Sequence, residues 1–512
     1  MQNLKQTLFL FNTVIANNRI KLLGILFFIL FLLLVYLVYQ SISLNYLPIY
    51  SDEYGYFLDA KSFWLYDRID AATTLNERYS LVGNAGFHGF VYSVLYGTFF
   101  KIFSFFGISP SIMLVNIILA ISLLILLALT KTSLKNKMLI GIVFMSNFIL
   151  IVYLSSGMTE IFHYVFAFVV GYLLYQVYET RERKYLYSFI ALIVLLSFFR
   201  QSWIFVLFGL FPLSNSLKDF VKYSIIFLLG LIFVVLDIKL FHAPFPFGFF
   251  QDLSEYLQKN SLADSINKVY QYFLTNIDRY FLSETYEGVE FVFYYKYLFV
   301  ALLLYSLYIS YRTREKTILA GSLIAAAIFF ALLTLYDAYG WREVRMLSVP
   351  FMILTVILIL NKRYLPVFLI ILFQLFTLNS VLDSQKRVNF KRENMNALIQ
   401  DYRPYIDDFA DLEKYVTLYE KKEILVLLNT KLFSLDNSPL FYQLPLSLQG
   451  KNIRYSFIFG RKFKIADSKC DLFISDKSEK FSNMKLVGNN KNYYFYRRIS
   501  IDDEKQAQVS HR

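Results

Sequence analysis

The chain contains few of the side chains from which disulfides and transition-metal sites are built. Its single cysteine, Cys470, excludes an internal disulfide, and with only 4 histidines a His/Cys zinc site is not expected. The sequence also contains no P-loop, no Gly-rich dinucleotide fingerprint, no Gly-x-Ser-x-Gly and no His-Glu-x-x-His motif. These absences count against ATP-driven enzymes and against hydrolases.

Apolar residues, by contrast, are abundant and lie in long runs. They make up 57% of the chain, with a mean hydropathy of +0.47, whereas soluble proteins average about 45–50%. The composition therefore indicates a polytopic membrane protein. Basic cytoplasmic loops and attraction to anionic membrane lipids explain the net charge of +13, so no nucleic-acid partner is expected.

Segments of about 20 apolar residues can cross a bilayer as helices. Clear candidates are Leu22–Tyr39, Ile112–Thr130, Met138–Leu154, Ile161–Tyr178, Tyr223–Leu240, Phe291–Tyr311, Ile318–Tyr336, Leu347–Leu360 and Leu365–Leu382. The first is expected to be retained, because the N-terminal region lacks a small-residue cleavage site. Two segments are ambiguous: Gly89–Phe106 contains Lys101, and Tyr185–Leu213 contains Arg200.

The positive-inside rule decides between the possible topologies. All basic loops can be cytoplasmic together only if Gly89–Phe106 lies on the outer surface and Tyr185–Leu213 crosses twice, as a hairpin with Arg200 at its tip. This gives about eleven spans, a cytoplasmic N-terminus and an outer C-terminus. The predicted fold class is mostly α, a polytopic transmembrane helical bundle with amphipathic helices on its outer face, among them Phe249–Tyr256 and Ile266–Phe273.

The predicted transmembrane domain covers residues 1–382, with outer-face loops at residues 40–106, 155–160, 241–290 and 337–346. From Asp383 onward the chain is more polar and contains short strand-like runs, and the last two flank Gly488-Asn489-Asn490 as in a β-hairpin. We therefore predict a small extracytoplasmic α/β domain over residues 383–512. The runs are Glu423–Leu428, Asp471–Ile474, Met484–Val487 and Tyr493–Arg498.

Two adjacent carboxylates, Asp52 and Glu53, come shortly after the first apolar segment and are flanked by aromatic residues. Charge is costly so close to a span, so acids here indicate a functional site. Such a pair can act as a general base, bind a divalent cation, or form part of a solvated loop, and we favour function. Asp59 and Lys61, farther along, are expected to form a surface ion pair.

Glu160 and His88 are further candidates on the predicted outer face. Glu160 opens a helix after a short loop, where the helix dipole alone would favour an acid, but it shares its predicted side of the membrane with Asp52. His88 precedes the apolar surface segment that starts at Gly89. It can contact substrate there, or it can simply cap or flank that helix at the membrane interface.

Three arginines stand out because of their positions. Arg200 interrupts an apolar hairpin, where burial requires an anionic partner, either an acid of the bundle or a substrate phosphate. Arg342 and Arg345 lead into a helix from the predicted outer side. Their forked guanidinium groups match phosphate geometry, although pairing with Glu343 or snorkelling to the interface would also explain them.

The order of these elements resembles the class C glycosyltransferases of bacterial membranes, in particular the branch of lipid A aminoarabinose transferases and protein O-mannosyltransferases. The resemblance covers about Leu22 to Leu382 and depends on four features. They are Asp52-Glu53 followed by Tyr56 and Ala60, His88 before a surface helix, Glu160 after the third span, and Arg345-Met346-Leu347-Ser348-Val349-Pro350. The chain departs from the family in lacking prolines after the histidine and in having Glu160 where aspartate is common.

The resemblance implies an inverting transfer from a polyprenyl-phosphate sugar to an acceptor hydroxyl of a glycan, lipid or protein. Asp52 would be the general base, and Glu53 and Glu160 would orient the acceptor or hold Mg²⁺ or Mn²⁺. Arg345, Arg342 and Arg200 would neutralise the leaving phosphate, with His88 and Tyr56 contacting substrate. The implied location is a bacterial plasma membrane.

Two other functions stay open. A polysaccharide polymerase or ligase with a diphosphate-linked donor would share the outer arginines but depend less on Asp52 and Glu53. A flippase or transporter would need charges inside the spans, where Asp237 and Arg200 are the main cases. The sequence shows no internal repeat of the kind on which many transporters are built.

Overall fold

The computed structural model describes residues 2–43, 51–83, 85–86, 88–244, 261–282, 290–335, 341–401, 403–430, 444–458, 463–481 and 483–499. Most of these residues lie in helices, and a small sheet lies towards the C-terminus. The predicted fold class, mostly α with several membrane-capable helices and a small mixed sheet, is confirmed.

The helices fall where the apolar runs predicted them. In chain order they are α1 Gln2–Ser43, α2 Ser51–Tyr66, α3 Val91–Phe105, α4 Ile112–Leu129, α5 Leu134–Met145, α6 Phe148–Tyr153, α7 Glu160–Thr180, α8 Arg183–Phe199, the 3-10 helix η1 Gln201–Leu213, α9 Leu217–Phe241, α10 Leu262–Leu282, α11 Glu290–Thr313, α12 Lys316–Leu335, α13 Trp341–Leu360, α14 Tyr364–Asp401, α15 Arg403–Phe409 and α16 Leu412–Val416.

Six of the described helices are long and apolar enough to cross a membrane. These spans are Ile20–Ile42, Ile112–Leu129, Glu160–Thr180, Leu217–Phe241, Lys316–Thr334 and Tyr364–Phe390. Shorter apolar helices are found at Val91–Phe105, Gln201–Leu213 and Arg345–Leu360. The structure therefore supports a multi-pass membrane protein, and the count of about eleven spans stays a prediction.

The chain divides into two compact units. The first, here the helical unit, comprises Met1–Asn45, Met113–Ile232 and Tyr256–Asn389. The second, here the sheet unit, comprises Tyr46–Ile112, Phe233–Glu255 and Phe390–Arg512. The segment that carries Asp52, Glu53 and His88 thus belongs to the same unit as the C-terminal sheet.

In the helical unit, the predicted hairpin at Tyr185–Leu213 breaks where the sequence indicated. α8 ends at Phe199, Arg200 is extended, and η1 begins at Gln201 and packs back against α8. The 13 residues of η1 are many for a 3-10 helix. The break places one arginine between two apolar helices.

The predicted span Met138–Leu154 is two helices, because Ser146 and Asn147 interrupt it. Asn147 caps α6 by accepting the N–H of Ile149, and its amide lies 3.2 Å from the hydroxyl of Tyr295. Ser146 lies 2.8 Å from Gln374. Inside a membrane unit such polar groups must be satisfied by other protein groups, and here they are.

α10 confirms the helix predicted around Ile266–Phe273, whereas Phe249–Tyr256 lies outside the described residues. Asn276 donates to the carbonyl of Leu333, and Phe273 packs on Phe330. These contacts attach α10 to the last turns of α12. One edge of its apolar face, with Ile266 and Tyr270, remains exposed, as expected of a helix along a membrane surface.

In the sheet unit, α2 and α3 pack along each other. Gly97 permits close approach, since a Cβ there would lie 2.6 Å from the ring of Phe63. Phe57 and Trp64 both contact Phe100. The 15 residues of α3 reach about 22 Å, short of the roughly 30 Å hydrocarbon core of a bilayer. Its length agrees with the prediction that Gly89–Phe106 does not cross.

The sheet of this unit has the strand order β1-β4-β2-β5-β7-β6, with β3 paired to β4. β1, β4, β2 and β5 run parallel to one another. β3 is antiparallel to β4, β7 is antiparallel to β5, and β6 is antiparallel to β7. The strands are β1 Thr73–Leu75, β2 Glu423–Asn429, β3 Ser447–Leu448, β4 Lys451–Phe457, β5 Leu472–Ser475, β6 Met484–Asn489 and β7 Tyr494–Arg498.

Two features of this sheet differ from the sequence prediction. The predicted hairpin is present, but Gly488 and Asn489 pair within β6, and the turn is formed by the residues after them. The sheet is not built from residues 383–512 alone, because β1 at Thr73–Leu75 adds a parallel edge strand beside β4. The extracytoplasmic location of this C-terminal region stays a prediction.

Candidate active site

The helix that carries the two adjacent acids is anchored in the core of the sheet unit. α2 begins at Ser51, so Asp52 and Glu53 occupy its first turn, where the helix dipole favours carboxylates. Tyr54 and Leu58 on the same helix belong to the apolar core formed with β2 and β4. Glu53 is 0% exposed, whereas Asp52 is partly exposed. Asp52 is therefore the acid of the pair that a substrate can reach more easily.

A partly buried charge network also joins the α2–β1 segment to the sheet. Asp59 accepts the N–H of Ala72, and Arg68 approaches Asp70 at 3.5 Å. Arg454 on β4 pairs with Asp70 and, at 2.7 Å, with Glu423 on β2. Asp59 is only 9% exposed, so the predicted surface ion pair with Lys61 is wrong as to its location.

Burial changes the proton affinities in this network. Burial raises the pKa of the Asp59 carboxyl from 3.8 to about 7, although the backbone N–H groups of Ala72 and Thr73 partly offset the effect. Burial likewise lowers the pKa of the Arg454 guanidinium to about 10. Asp59 thus exchanges its proton near neutral pH, which gives the attachment of α2 a measurable pH dependence.

Tyr56 and His88, both predicted to contact substrate, lie together. The Tyr56 hydroxyl is 3.4 Å from His88 Nδ1, and the ring centroids are 4.6 Å apart. Tyr56 also contacts Tyr92, which stacks on Tyr96 along α3. This aromatic row begins one turn after Asp52, and its three tyrosines are buried between α2 and α3. The row therefore holds His88 in place, and contact of Tyr56 with a substrate stays a prediction.

Sequence reasoning missed a histidine that packs against Gly89, the residue after His88. His242 Nε2 lies 3.0 Å from Asp237 Oδ2, and both side chains are buried. Gly89 has a φ of +69°, and a Cβ there would lie 2.9 Å from His242 Nε2. The backbone N–H of Ala243 donates to the carbonyl of Gly86. A polar residue at the end of a span followed five positions later by a histidine was the available signal.

In the helical unit, three predicted residues from three elements converge. Arg200, at the break between α8 and η1, donates through Nη2 to Glu160 Oε1 at 3.4 Å. Arg345, in the first part of α13, places Nη1 at 3.4 Å from the same oxygen. Glu160 is 1% exposed. We call these three residues the arginine cluster.

A second contact holds the Arg200 break against α7. Trp203 Nε1 donates to His163 Nδ1 at 2.9 Å, and His163 is fully buried. Since the indole group is only a donor, a neutral His163 carries its hydrogen on Nε2. The spacing of Glu160 and His163 puts them on one face of α7, and this was the signal that could have identified His163.

The remaining predictions concern Arg342 and a metal. Arg342 lies in the first turn of α13, but its side chain is outside the described residues. Within the described part of the chain, no group of three or more His, Cys, Asp or Glu side chains is arranged to hold a metal ion. The two guanidinium groups on Glu160 would repel a cation, so Glu160 does not fit a metal ligand. A cation at Asp52 and Glu53 stays a prediction.

The predicted site residues therefore form two sets. Asp52, Glu53, Tyr56 and His88 lie in the sheet unit, and Glu160, Arg200 and Arg345 lie in the helical unit.

No family model and no curated protein matches this chain. Among solved structures, the crystal structure of the Archaeoglobus fulgidus oligosaccharyltransferase in complex with Zn and sulfate is similar to it at 13% sequence identity. The match has a TM-score of 0.47 and covers 86% of this chain and 67% of that one. A TM-score below 0.5 carries no argument about fold or function, so a function has to be argued from the residues themselves.

Proposed function

We propose that this protein is an integral membrane glycosyltransferase of class C type. It transfers a sugar from a polyprenyl-phosphate donor to an acceptor hydroxyl of a glycan, lipid or protein, on the outer face of a bacterial plasma membrane. The observation that carries the proposal is the arginine cluster, in which Arg200 and Arg345 converge on the buried Glu160 at the start of an apolar helix. Partly buried arginines at such a position need an anion, and the donor supplies a phosphate at the membrane surface.

Arg200 and Arg345 are cations that meet at one carboxylate, and such a pair suits an anionic donor. A polymerase or ligase with a diphosphate-linked donor would use the same arginines. It should depend less on Asp52 and Glu53, so we place it second.

Asp52 is the general base in this proposal. The acceptor oxygen attacks the anomeric carbon and gives its proton to the Asp52 carboxylate, while the bond between that carbon and the phosphate oxygen breaks. The sugar leaves with inverted configuration, and the electron pair of the broken bond stays on the phosphate. Arg200, Arg345 and Arg342 stabilise that developing charge. Glu53, Tyr56 and His88 orient the acceptor and the sugar.

The transport alternative has weaker support. Its expected midspan charges are engaged within the protein, because Asp237 pairs with His242 and Arg200 pairs with Glu160. A transporter also gives no role to Asp52 and Glu53 in a helix that is anchored to a sheet.

The test is transfer from labelled polyprenyl-phosphate sugars in membranes, comparing the wild type with Asp52→Asn. We expect activity to fall by about 10²-fold or more on loss of a general base. Asp67→Asn is the matched control, because Asp67 follows the same helix, is 80% exposed and pairs with Lys101. Full activity of Asp52→Asn would remove Asp52 as the base. Transfer only from diphosphate-linked donors would replace the proposal with the polymerase or ligase.

A further inference from the structure

The two arginines of the arginine cluster share a single oxygen atom. Both approach Glu160 Oε1, and both distances are 3.4 Å, longer than the roughly 2.7–2.9 Å of a good charge-assisted hydrogen bond. In the part of the chain that the structure describes, Glu160 Oε2 and Arg200 Nη1 are buried without a hydrogen-bond partner. The cluster therefore uses only part of its hydrogen-bonding capacity.

A phosphate would satisfy these groups better than Glu160 does. Its free oxygens can give each guanidinium group an acceptor of its own, with the parallel pairs of hydrogen bonds that arginine forms with oxyanions. The carboxylate of Glu160 comes from a fixed position on α7 and offers one oxygen to both arginines. Glu160 and a phosphate would thus compete for the same N–H groups.

We propose that Glu160 is an internal competitor for the donor phosphate, and therefore a positioning residue that does not take part in proton transfer. This inference rests on the proposed function and deepens it. The phosphate product carries more negative charge than the donor, so the arginines would hold it more tightly if the carboxylate of Glu160 did not compete for them. Glu160 lowers the affinity for phosphate, keeps the arginines in place between turnovers, and promotes release of the polyprenyl phosphate.

The experiment measures binding of farnesyl phosphate to the purified full-length protein in detergent at fixed ionic strength. Glu160→Gln keeps the size of the side chain but removes its charge. We expect it to bind farnesyl phosphate at least about tenfold more tightly than the wild type, as for loss of one competing charged hydrogen bond. The increase in thermal midpoint on adding farnesyl phosphate should grow accordingly.

Glu315→Gln is the matched control. Glu315 lies in the same unit and also pairs with an arginine, Arg363, so a gain shared by both variants would be a general effect of charge and would overturn the proposal. Glu160→Asp keeps the charge but shortens the reach. It should bind farnesyl phosphate with an affinity between those of the wild type and Glu160→Gln. If Glu160→Gln does not fold, Glu160→Asp is the variant that tests the proposal.

Arg345→Met separates this inference from the function on which it rests. If Arg345→Met weakens binding of farnesyl phosphate and Glu160→Gln does not tighten it, the competitor role fails and the phosphate site stands. If Arg345→Met binds as the wild type does, the phosphate site itself is wrong. Tighter binding by Glu160→Gln together with slower release of product supports the inference.

Discussion

Replacement of Asp59 by asparagine should remove a pH dependence from the stability of the sheet unit. Asp59 joins α2, the helix that carries Asp52 and Glu53, to the start of β1 through the backbone N–H of Ala72. The pKa of the Asp59 carboxyl is raised from 3.8 to about 7, chiefly by burial. Asparagine has nearly the same shape and can accept the same hydrogen bond, but it does not ionise.

The sign and size of the effect follow from linkage. Because the folded state holds the proton more tightly, it binds more protons than the unfolded state between pH 3.8 and about 7, and stability falls as pH rises through that window. A difference of about three pKa units corresponds to about 4 kcal/mol at most. Between pH 5 and pH 8 the contribution of Asp59 to the free energy of unfolding falls by about 2.7 kcal/mol. For a unit the size of the sheet unit, this is a fall of roughly 5–11 °C in thermal midpoint.

The single cysteine provides an assay that is specific to the sheet unit. Cys470 is buried in one of the apolar clusters of the sheet, so a thiol reagent labels it only when this unit opens. Labelling after brief heating should show a midpoint that falls from pH 5 to pH 8 in the wild type. In Asp59→Asn this decrease in the midpoint should be smaller by up to roughly 5–11 °C.

Asp67→Asn, which removes an exposed carboxylate, should retain the wild-type pH dependence and serves as control. An equal fall in midpoint for the wild type and Asp59→Asn would show that Asp59 titrates near its ordinary pKa and would refute the reasoning.

Three further predictions concern the candidate site. Arg345→Lys keeps the positive charge but loses the forked guanidinium group, so transfer activity should fall about tenfold. The fall should appear as a higher KM for the donor. An unchanged KM would argue against contact between Arg345 and the donor. Trp203→Phe removes the N–H that binds His163 and also reduces the buried ring system, so Arg200 should be less well positioned. The KM for the donor should rise several-fold with little change in kcat. A matching loss of kcat would point to a role in the chemical step. Gly89→Ala should destabilise the sheet unit by about 1–3 kcal/mol, since the positive φ of Gly89 and the His242 ring leave no room for a methyl group. Cys470 should then be labelled at a lower temperature than in the wild type. Labelling at the wild-type temperature would contradict this prediction.

The elements that follow from local sequence were predicted well. Apolar runs located the helices, the polar residues at Arg200 located the break in the hairpin, and the short strand-like runs of the C-terminal region located β2, β5, β6 and β7. Glu160 was singled out because it shares its predicted side of the membrane with Asp52, and Arg345 because it leads into a helix from the predicted outer side. Their functional roles stay predictions. These signals depend on neighbouring residues and on general rules of membrane insertion.

The features that depend on distant residues could not be predicted. Thr73–Leu75 is too short to be recognised as a strand, and it forms β1 only because β4, several hundred positions later, offers it an edge. Asp59 has the sequence context of a surface acid and is buried only because the sheet covers α2. His242 packs closely against Gly89, and the spacing of residues in the sequence does not predict this contact.

The sheet gives the proposed base a rigid support. A general base loses efficiency when it is displaced by a fraction of an ångström, so its helix must be held by packing and hydrogen bonds. Asp52 lies in the first turn of α2, so its position depends on how the rest of that helix is held. Tyr54 and Leu58 are packed in the sheet core, and Asp59 and Arg454 add a buried charge network. Damage to the sheet, far along the chain from Asp52, should therefore reduce catalysis by displacing the base, even where the sheet itself touches no substrate.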